Sequence, residues 1–439
     1  MALRVPTGSP ATGRPTVEWA PLGVLAAGLT VLLVGVAGRY GYHRDELYFL
    51  RAGREAALSY VDQPPLTPLL AAAMDSLAPG SLVALRLPSA LAAGAVVLLT
   101  GLIAREFGAG RAAQLLAAAC MAVSAVLLAV GHLLSTATFD LLAWTALSWL
   151  LVRALRDGGP VWLVTGAVAG VALQNKTQPA FLLAAVLAGL LAVGPRLLFR
   201  SPWPWLGGSL ALALWAPNLH WQAVHGWPQL ELAEAIAAGS SGTSEPWYLF
   251  LPFQLVLVSP VLVPVWAAGW WRLARAPELR TWRSFAVVYP LLALFFLLGG
   301  GKPYYLAGLY PVLLAAGAAP AVDWARRGGR RIGRTLVPPL ALSLVLNALL
   351  MLPLVPVSAL AGTPVPAVHY DAGETVGWPR LVSSRPSGRR GRGCRPGSRS
   401  PSSPPTTARR VRSTVSRRSW DPRTAATTRT GTGVRRRTR

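Results

Sequence analysis

The sequence predicts an all-α polytopic membrane protein with about eleven transmembrane helices. Apolar segments of the length that crosses a bilayer recur from residue 20 to residue 355. Of the 439 residues, 53% are hydrophobic and only 13% are charged. Soluble domains carry about a quarter charged residues, so this composition excludes an ordinary soluble enzyme. Two cysteines are too few for a disulfide framework, and the sequence contains no Walker, GxGxxG, CxxC or HExxH motif.

The predicted spans follow from windows of roughly 20 mostly apolar residues. The first run is too long for a cleaved signal peptide and lacks a small-residue cleavage site. The two short runs within 161–194 fit either a tight hairpin or a partly re-entrant pair. The spans lie near residues 20–38, 87–104, 112–131, 140–155, 161–173, 179–194, 204–217, 247–266, 284–299, 306–322 and 335–355.

The distribution of arginine predicts the orientation. If residues 1–19 are cytoplasmic, the inner segments hold 17 basic residues and the outer segments hold seven. This asymmetry is the positive-inside pattern. The unusual polar residues then collect on the outer face, beginning with a long loop at 39–86. We therefore expect a cell-membrane protein whose transmembrane domain covers 20–355 and whose active site faces away from the cytoplasm.

The composition changes abruptly at the C-terminus. Residues 356–379 begin an extracytoplasmic segment, but residues 380–439 contain 18 arginines and one acidic residue. The net charge of +25 is therefore largely a property of this tail, because 24 basic and 16 acidic residues precede it. Low hydrophobicity with high charge predicts disorder. The tail either binds anionic lipids or wall polymers or, as we prefer, is the product of a frameshift in a GC-rich gene, which reading the gene in all three frames would test.

Acidic residues directly follow the first predicted span. Asp45 and Glu46 open a stretch with helical apolar spacing, which predicts an amphipathic helix on the membrane surface. They either complement the helix dipole or supply a general base for a reacting hydroxyl group. Further along, the two prolines of Tyr60–Pro65 fix an extended turn. Asp62 and Gln63 within it are either loop residues or ligands for sugar hydroxyls.

The two lysines stand out against 40 arginines. Lys176 and Lys302 both lie in short turns on the predicted outer face. Such lysines either extend along a helix end toward water or bind phosphate as compact point charges. Beside Lys302, Tyr304 and Tyr305 offer additional hydroxyl donors.

Three further polar residues on the predicted outer face are candidate site residues. Asp140 either caps the helix that follows it or meets Asp45 as a second acid. His132, near an apolar segment end, fits a structural role or a binding role. His220 lies in the aromatic-rich segment 217–228, which fits an interfacial belt or a surface that stacks on sugars.

A family resemblance adds to these readings. The string GYHRDELYFLRAGREAALSYVDQPPLTPLLA (41–71) resembles the first outer loop of bacterial membrane glycosyltransferases of family 39. These are relatives of protein O-mannosyltransferases and of lipid A aminoarabinose transferases, with the GT-C architecture. GVALQNKTQPAFLL, APNLHWQAVHGWPQL and GGKPYYLAGLYPVLLAAGA are similar to later landmarks of that group. The resemblance covers roughly residues 35–380.

The resemblance implies a GT-C-like fold with amphipathic helices in the first outer loop. It implies a glycosyltransferase that takes a hexosyl or pentosyl group from a polyprenyl-phosphate sugar to an extracytoplasmic protein, glycolipid or wall polymer. Asp45 would be the principal acid with Glu46 beside it, and Asp140 would lie near the same site. Lys302, with Tyr304 and Tyr305, would face the lipid phosphate, helped by Lys176 or Arg44.

Metal dependence varies across that superfamily, so we assign no cofactor and leave a divalent metal open. We expect no nucleic-acid partner. One alternative function is a lipid-linked-sugar flippase or transporter, which predicts polar groups along a path through the spans. No ionisable residue lies near the middle of a predicted span. A non-catalytic assembly protein is a third interpretation, and it predicts that Asp45 can be replaced without loss.

Overall fold

The fold is described from a computed structural model for residues 14–239, 246–328 and 331–378. Within these ranges the regular elements are all helical and no strand occurs, which confirms the predicted all-α class. Our predictions for the Arg-rich tail, both disorder and frameshift, concern residues outside the described ranges.

The described part contains nineteen α-helices, α1 to α19. The first ten are α1 Trp19–Val36, α2 Arg44–Gly53, α3 Leu66–Leu77, α4 Leu82–Glu106, α5 Arg111–Ala122, α6 Ala125–Gly131, α7 Thr136–Asp157, α8 Val161–Leu173, α9 Gln178–Val193 and α10 Pro202–Val224. The others are α11 Pro228–Ala237, α12 Phe250–Val258, α13 Val263–Arg275, α14 Ser284–Leu298, α15 Tyr310–Arg327, α16 Ile332–Met351, α17 Val357–Leu360, α18 Val365–Val368 and α19 Tyr370–Glu374. Short 3₁₀ segments are Arg196–Arg200, Trp247–Leu249, Pro260–Leu262, Pro277–Trp282 and Pro303–Leu309.

Each predicted span coincides with one of these helices or with a bent pair. Among the described residues, five helical segments are long and apolar enough to cross a membrane. The number rises to seven if the bent pairs α5–α6 and α12–α13, with breaks of 58° and 81°, each form one span. The shorter apolar helices α8, α9 and α14 do not reach that length. A multi-pass membrane fold is confirmed, but the predicted number of eleven spans is not.

Glycines allow several helices to approach closely. A Cβ added at Gly269 of α13 would overlap the Leu313 carbonyl oxygen, and one at Gly317 of α15 would overlap the Val265 carbonyl oxygen. Helices that pack within a bilayer gain little from the hydrophobic effect, so small residues at their contacts provide tight van der Waals packing. The α13–α15 contact is accordingly among the most extensive in the fold.

Most of the predicted polar residues lie at one end of the helices. We define the polar end by the connection 37–81 between α1 and α4, the turn 174–177 between α8 and α9, and residues 299–305. In that connection, α2 buries Phe49 and Ala52 against the fold and exposes its arginine side chains, as an amphipathic helix does.

The short C-terminal helices α17 to α19 return to the polar end. The Tyr40 hydroxyl donates a hydrogen bond to the Val355 carbonyl oxygen at 2.6 Å. Tyr40 also packs in a small apolar cluster with Leu360, Val365 and Ala372. The C-terminal segment therefore covers the chain that leads from α1 into α2.

Candidate functional site

The N-terminus of α2 is anchored by a buried ion pair. The side chains of Glu46 and Arg86 are 0% and 1% exposed, and both guanidinium contacts to the carboxylate measure 2.8 Å. Glu46 also accepts hydrogen bonds from the backbone N–H groups of His43 at 2.8 Å and Leu134 at 2.9 Å. Arg86 in turn donates to the Ala37 and Gly41 carbonyl oxygens.

This environment argues against the predicted catalytic role of Glu46. A general base must reach the proton that it abstracts. The Glu46 carboxylate is sealed from solvent and already accepts four hydrogen bonds, two of them from Arg86. Its role in this structure is to join α2, α4 and the chain before α7.

The side chain of Asp45, the neighbouring residue, faces solvent. Its side chain is 45% exposed and lies 3.0 Å from the Arg44 guanidinium. Arg44 also pairs with Glu374 of α19 at 3.0 Å. The structure thus places a solvent-accessible carboxylate beside a cation at the start of α2.

Asp62 lies on the same side of the polar end as Asp45. The Tyr48 hydroxyl of α2 donates a hydrogen bond of 2.6 Å to its carboxylate. The surrounding protein raises the pKa of Asp62, which the Tyr48 hydrogen bond partly offsets, and the charge of Asp45 adds to the rise. Gln63 instead is buried, and its backbone carbonyl closes the turn by accepting from Tyr60 N–H at 2.8 Å.

Lys176 lies between an acid and two aromatic rings. Its ammonium group is 5.4 Å from the ring centroid of Tyr304 and 5.1 Å from that of Tyr305, within cation–π range. Burial lowers the pKa of Lys176, and the charge of Asp140 opposes that shift. Asp140, only 7% exposed, has a buried carboxylate oxygen without a hydrogen-bond partner in the described part of the chain. Asp140 therefore influences Lys176 through its charge, without an ion pair within 4 Å between these two described residues.

Polar side chains of neighbouring elements hold both lysine turns. At the α8–α9 turn, the Thr67 hydroxyl of α3 donates to the Asn175 side-chain oxygen at 2.6 Å. At the second turn, the Gln254 amide of α12 donates to the Pro303 carbonyl oxygen at 2.8 Å and the Tyr310 hydroxyl donates to the Gln254 oxygen. The lysines are thus fixed by packed helices.

Lys302 is electrostatically part of the same group. Its pKa is lowered to about 8, chiefly by burial and also by the charge of Lys176, while the carboxylates of Asp45 and Asp371 oppose the shift. Elements distant in the sequence therefore bring together three acids and three cations, a combination suited to a substrate with both phosphate and hydroxyl groups. These residues, the polar cluster, are Arg44, Asp45, Asp140, Lys176, Lys302 and Asp371.

Sequence reasoning missed Asp371. It lies on α19, where one carboxylate oxygen is 3.6 Å from His43 Nε2 and the other is 3.9 Å from His369 Nε2. Its position after the last predicted span gave no sign that α19 folds back onto α2. Also missed were Asn218 and Gln222 of α10, whose amides donate to the Ser59 hydroxyl at 2.8 and 3.0 Å and so attach α10 to the first connection.

The two predicted histidine sites have different outcomes. His132 is buried, with its Nδ1 3.0 Å from the Leu128 carbonyl oxygen, and its ring packs edge-on against His369 at 5.8 Å. This environment fits its structural interpretation. His220 is exposed on α10 and makes no hydrogen bond or ion pair with the described residues, so the structure does not bring it into the polar cluster. No group of three or more His, Cys, Asp or Glu side chains that could hold a metal ion was found in the described ranges.

Comparisons with known proteins agree with this architecture. Residues 62–221 match the family described as dolichyl-phosphate-mannose-protein mannosyltransferase. This match covers the Asp62 turn, Asp140 and Lys176, but it begins after α2. A search of curated proteins found no match.

Two crystal structures of ArnT from Cupriavidus metallidurans have a similar fold. One is bound to undecaprenyl phosphate and is 17% identical to this chain, and the other is in the apo state and is 16% identical. Each has a TM-score of 0.54 and matches 80% of this chain and 74% of the ArnT chain. These findings confirm the predicted resemblance: the chain is a membrane protein with a GT-C-type fold.

Proposed function

We propose that this protein is a membrane glycosyltransferase that moves a sugar from a polyprenyl-phosphate donor to an extracytoplasmic acceptor. The observation that carries the proposal is the convergence of Lys176, Lys302 and Asp45 at the polar end. The fold shared with ArnT, one of whose structures contains undecaprenyl phosphate, supports a lipid-linked donor. The arginine distribution supports an extracytoplasmic position for this end.

The lysines suit the leaving group. When a sugar leaves a polyprenyl phosphate, negative charge develops on the phosphate, and fixed cations stabilise that charge in the transition state. Lys176 is held over Tyr304 and Tyr305, and Lys302 lies in the adjacent turn. Arg44, at the start of α2, supplies a third cation, whose charge acts on Lys302.

Asp45 suits the acceptor. It is the accessible carboxylate of α2, and it can accept the proton of a hydroxyl group that attacks the sugar carbon. Asp62 and the hydroxyl of Tyr48 lie near it and would bind sugar hydroxyl groups, whereas the buried Gln63 shapes the turn that carries Asp62. In this scheme the hydroxyl oxygen forms the new glycosidic bond, Asp45 takes its proton and the polyprenyl phosphate leaves.

The competing function is transport of a lipid-linked sugar. Such a protein needs polar groups along a path through the bilayer. In the described residues, the charged groups of the polar cluster gather at one end of the helices. This concentration favours chemistry at a membrane surface over passage through the membrane.

Turnover of a labelled donor tests the proposal. Membranes that contain the wild-type protein, Asp45→Asn or Asp75→Asn are incubated with a panel of radiolabelled polyprenyl-phosphate sugars, with cell-envelope fractions as acceptors. Asp75, partly exposed on α3 and paired with Arg54, is the matched control. We expect one donor to be consumed by the wild type and the control, and a loss of at least about 100-fold in Asp45→Asn.

Each other outcome has a definite meaning. Equal turnover in all three proteins would remove Asp45 from the chemistry. Movement of the intact donor across the membrane of proteoliposomes, without release of the sugar, would establish transport. Failure to consume any donor, with the protein intact in the membrane, would count against the transferase.

A further inference from the structure

His43 controls the start of α2. It is the N-cap residue, 5% exposed, and its Nδ1 accepts a hydrogen bond from the Asp45 backbone N–H at 3.1 Å. A neutral imidazole has one protonated and one unprotonated nitrogen. Because Nδ1 accepts, the proton of neutral His43 must lie on Nε2.

Nε2 of His43 faces Asp371. The distance to the carboxylate is 3.6 Å, slightly longer than a hydrogen bond, and Nε2 has no closer hydrogen-bond partner in the described part of the chain. A carboxylate at this position favours the Nε2–H tautomer and the ring orientation that goes with it. The other oxygen of Asp371 faces His369, which is also buried.

We infer that Asp371 is a positioning residue for Asp45 and acts through the His43 imidazole. The Asp371 carboxylate fixes the tautomer of His43, His43 caps the Asp45 amide, and the cap sets the direction in which the Asp45 side chain leaves α2. The inference rests on the proposed function in one respect, namely that Asp45 is the reacting carboxylate.

This arrangement works only while His43 is neutral. A protonated imidazole donates from both nitrogens, so it cannot accept from the Asp45 N–H. The ionisable groups that face His43 are Asp45 and Glu46 on α2, Asp371 on α19 and His369 just before it. Burial lowers the pKa of His43, but the three carboxylates raise it by more, so the net shift is upward. Removal of Asp371 therefore moves the protonation of His43 to lower pH.

Nuclear magnetic resonance tests the arrangement without any need for activity. The chain has only five histidines, so histidine-selective ¹⁵N labelling of the full-length protein gives few signals. The His43 signal is identified by its loss in His43→Asn. We expect the Nε2–H tautomer in the wild type, and in Asp371→Asn a His43 pKa lower by about one unit. Protonation of Nδ1 in the neutral form, or an unchanged pKa in Asp371→Asn, would overturn the inference.

A double-mutant cycle tests whether the effect reaches Asp45. Asn is a good N-cap that does not titrate. In His43→Asn the α2 cap should therefore persist whether or not the Asp371 carboxylate is present. In wild-type background, Asp371→Asn should lower kcat about tenfold and leave the donor KM nearly unchanged. The acid limb of the pH profile, which reports His43 protonation, should move to lower pH. In the His43→Asn background, Asp371→Asn should change neither kcat nor the position of the acid limb.

The controls separate this inference from the transferase proposal. Asp323→Asn, an exposed acid paired with Arg326 on α15, should behave as wild type. If Asp371→Asn lowers kcat equally in both backgrounds, Asp371 acts on the substrate directly and the inference is wrong. If the wild type lacks transferase activity, the proposed function fails, and the magnetic resonance result alone decides whether Asp371 sets the state of His43.

Discussion

At the scale of single residues, two adjacent acids of α2 occupy opposite environments. Glu46 faces inward, where Arg86 and two backbone N–H groups neutralise and solvate its charge. Asp45 faces outward and retains access to water. The 100° turn between consecutive helical residues accounts for this division of roles.

Removal of the buried Glu46 charge should destabilise the fold. In Glu46→Ala, Arg86 remains buried without its partner, which costs about 3–5 kcal/mol. We expect a matching decrease in the free energy of unfolding, measured by chemical denaturation in detergent. Glu55→Ala, which removes an exposed ion pair with Arg51, is the control and should change stability by less than about 1 kcal/mol. Similar stability of the two variants would contradict the anchoring role.

The pH profile of kcat/KM for the donor should have a basic limb that is due to deprotonation of Lys302. Its pKa of about 8 lies below that of an ordinary lysine because of burial. The charged form that binds phosphate is therefore complete well below pH 8 and disappears as the pH rises through that value. We expect kcat/KM for the donor, which reports the free enzyme, to fall above about pH 8 in the wild type. In Lys302→Arg the fall should move to higher pH, because a guanidinium stays protonated. An unchanged limb in Lys302→Arg would exclude Lys302 as its source.

Residue types and local spacing predicted many of the polar residues of the candidate site, but they did not predict which of these residues contact one another. The two lysines among 40 arginines indicated the two turns that we propose bind phosphate. Whether Glu46 or Asp45 faces solvent depends on Arg86, 40 residues away. The role of Asp371 depends on the return of α19 to α2, and no local pattern records such a contact.

At the scale of elements, helix contacts decide where the turns of the polar end lie. Hydropathy located each apolar segment, because burial in a bilayer requires a continuous apolar run. It did not resolve the bends between α5 and α6 or between α12 and α13, where one predicted span is two helices. A bend depends on backbone geometry and on neighbouring helices, which a window average does not describe.

Two adjacent glycines of α10 offer a matched test of its contact with α8. A Cβ at Gly207 would overlap the Trp162 carbonyl oxygen, whereas a Cβ at the adjacent Gly208 meets nothing within 4 Å. Gly207→Ala should therefore lower the free energy of unfolding by about 1–3 kcal/mol. Gly208→Ala should be neutral or slightly stabilising, since alanine favours helix. Thermal unfolding in detergent compares the pair, and equal melting temperatures would contradict the close packing of these helices.

At the scale of the whole molecule, the polar cluster is assembled from both ends of the described chain. Arg44 and Asp45 come from the first connection, and Asp371 and Glu374 come from the last helix. The contacts described for the cluster extend no further than Glu374. The segment between α16 and residue 378 thus contributes Asp371 to the polar cluster and Glu374 to the Arg44 ion pair. The Arg-rich sequence after it differs in composition from everything before it.

Two truncations should separate these parts. A chain that ends after residue 378 keeps Asp371 and Glu374, so we expect donor turnover within about twofold of the full-length protein. A chain that ends after residue 364 lacks α18 and α19, so His43 loses Asp371 and Arg44 loses Glu374, and turnover should fall at least about tenfold. Both proteins are compared at equal membrane abundance. If the chain that ends at 378 is as inactive as the one that ends at 364, the basic tail contributes to function, and its origin by frameshift becomes untenable.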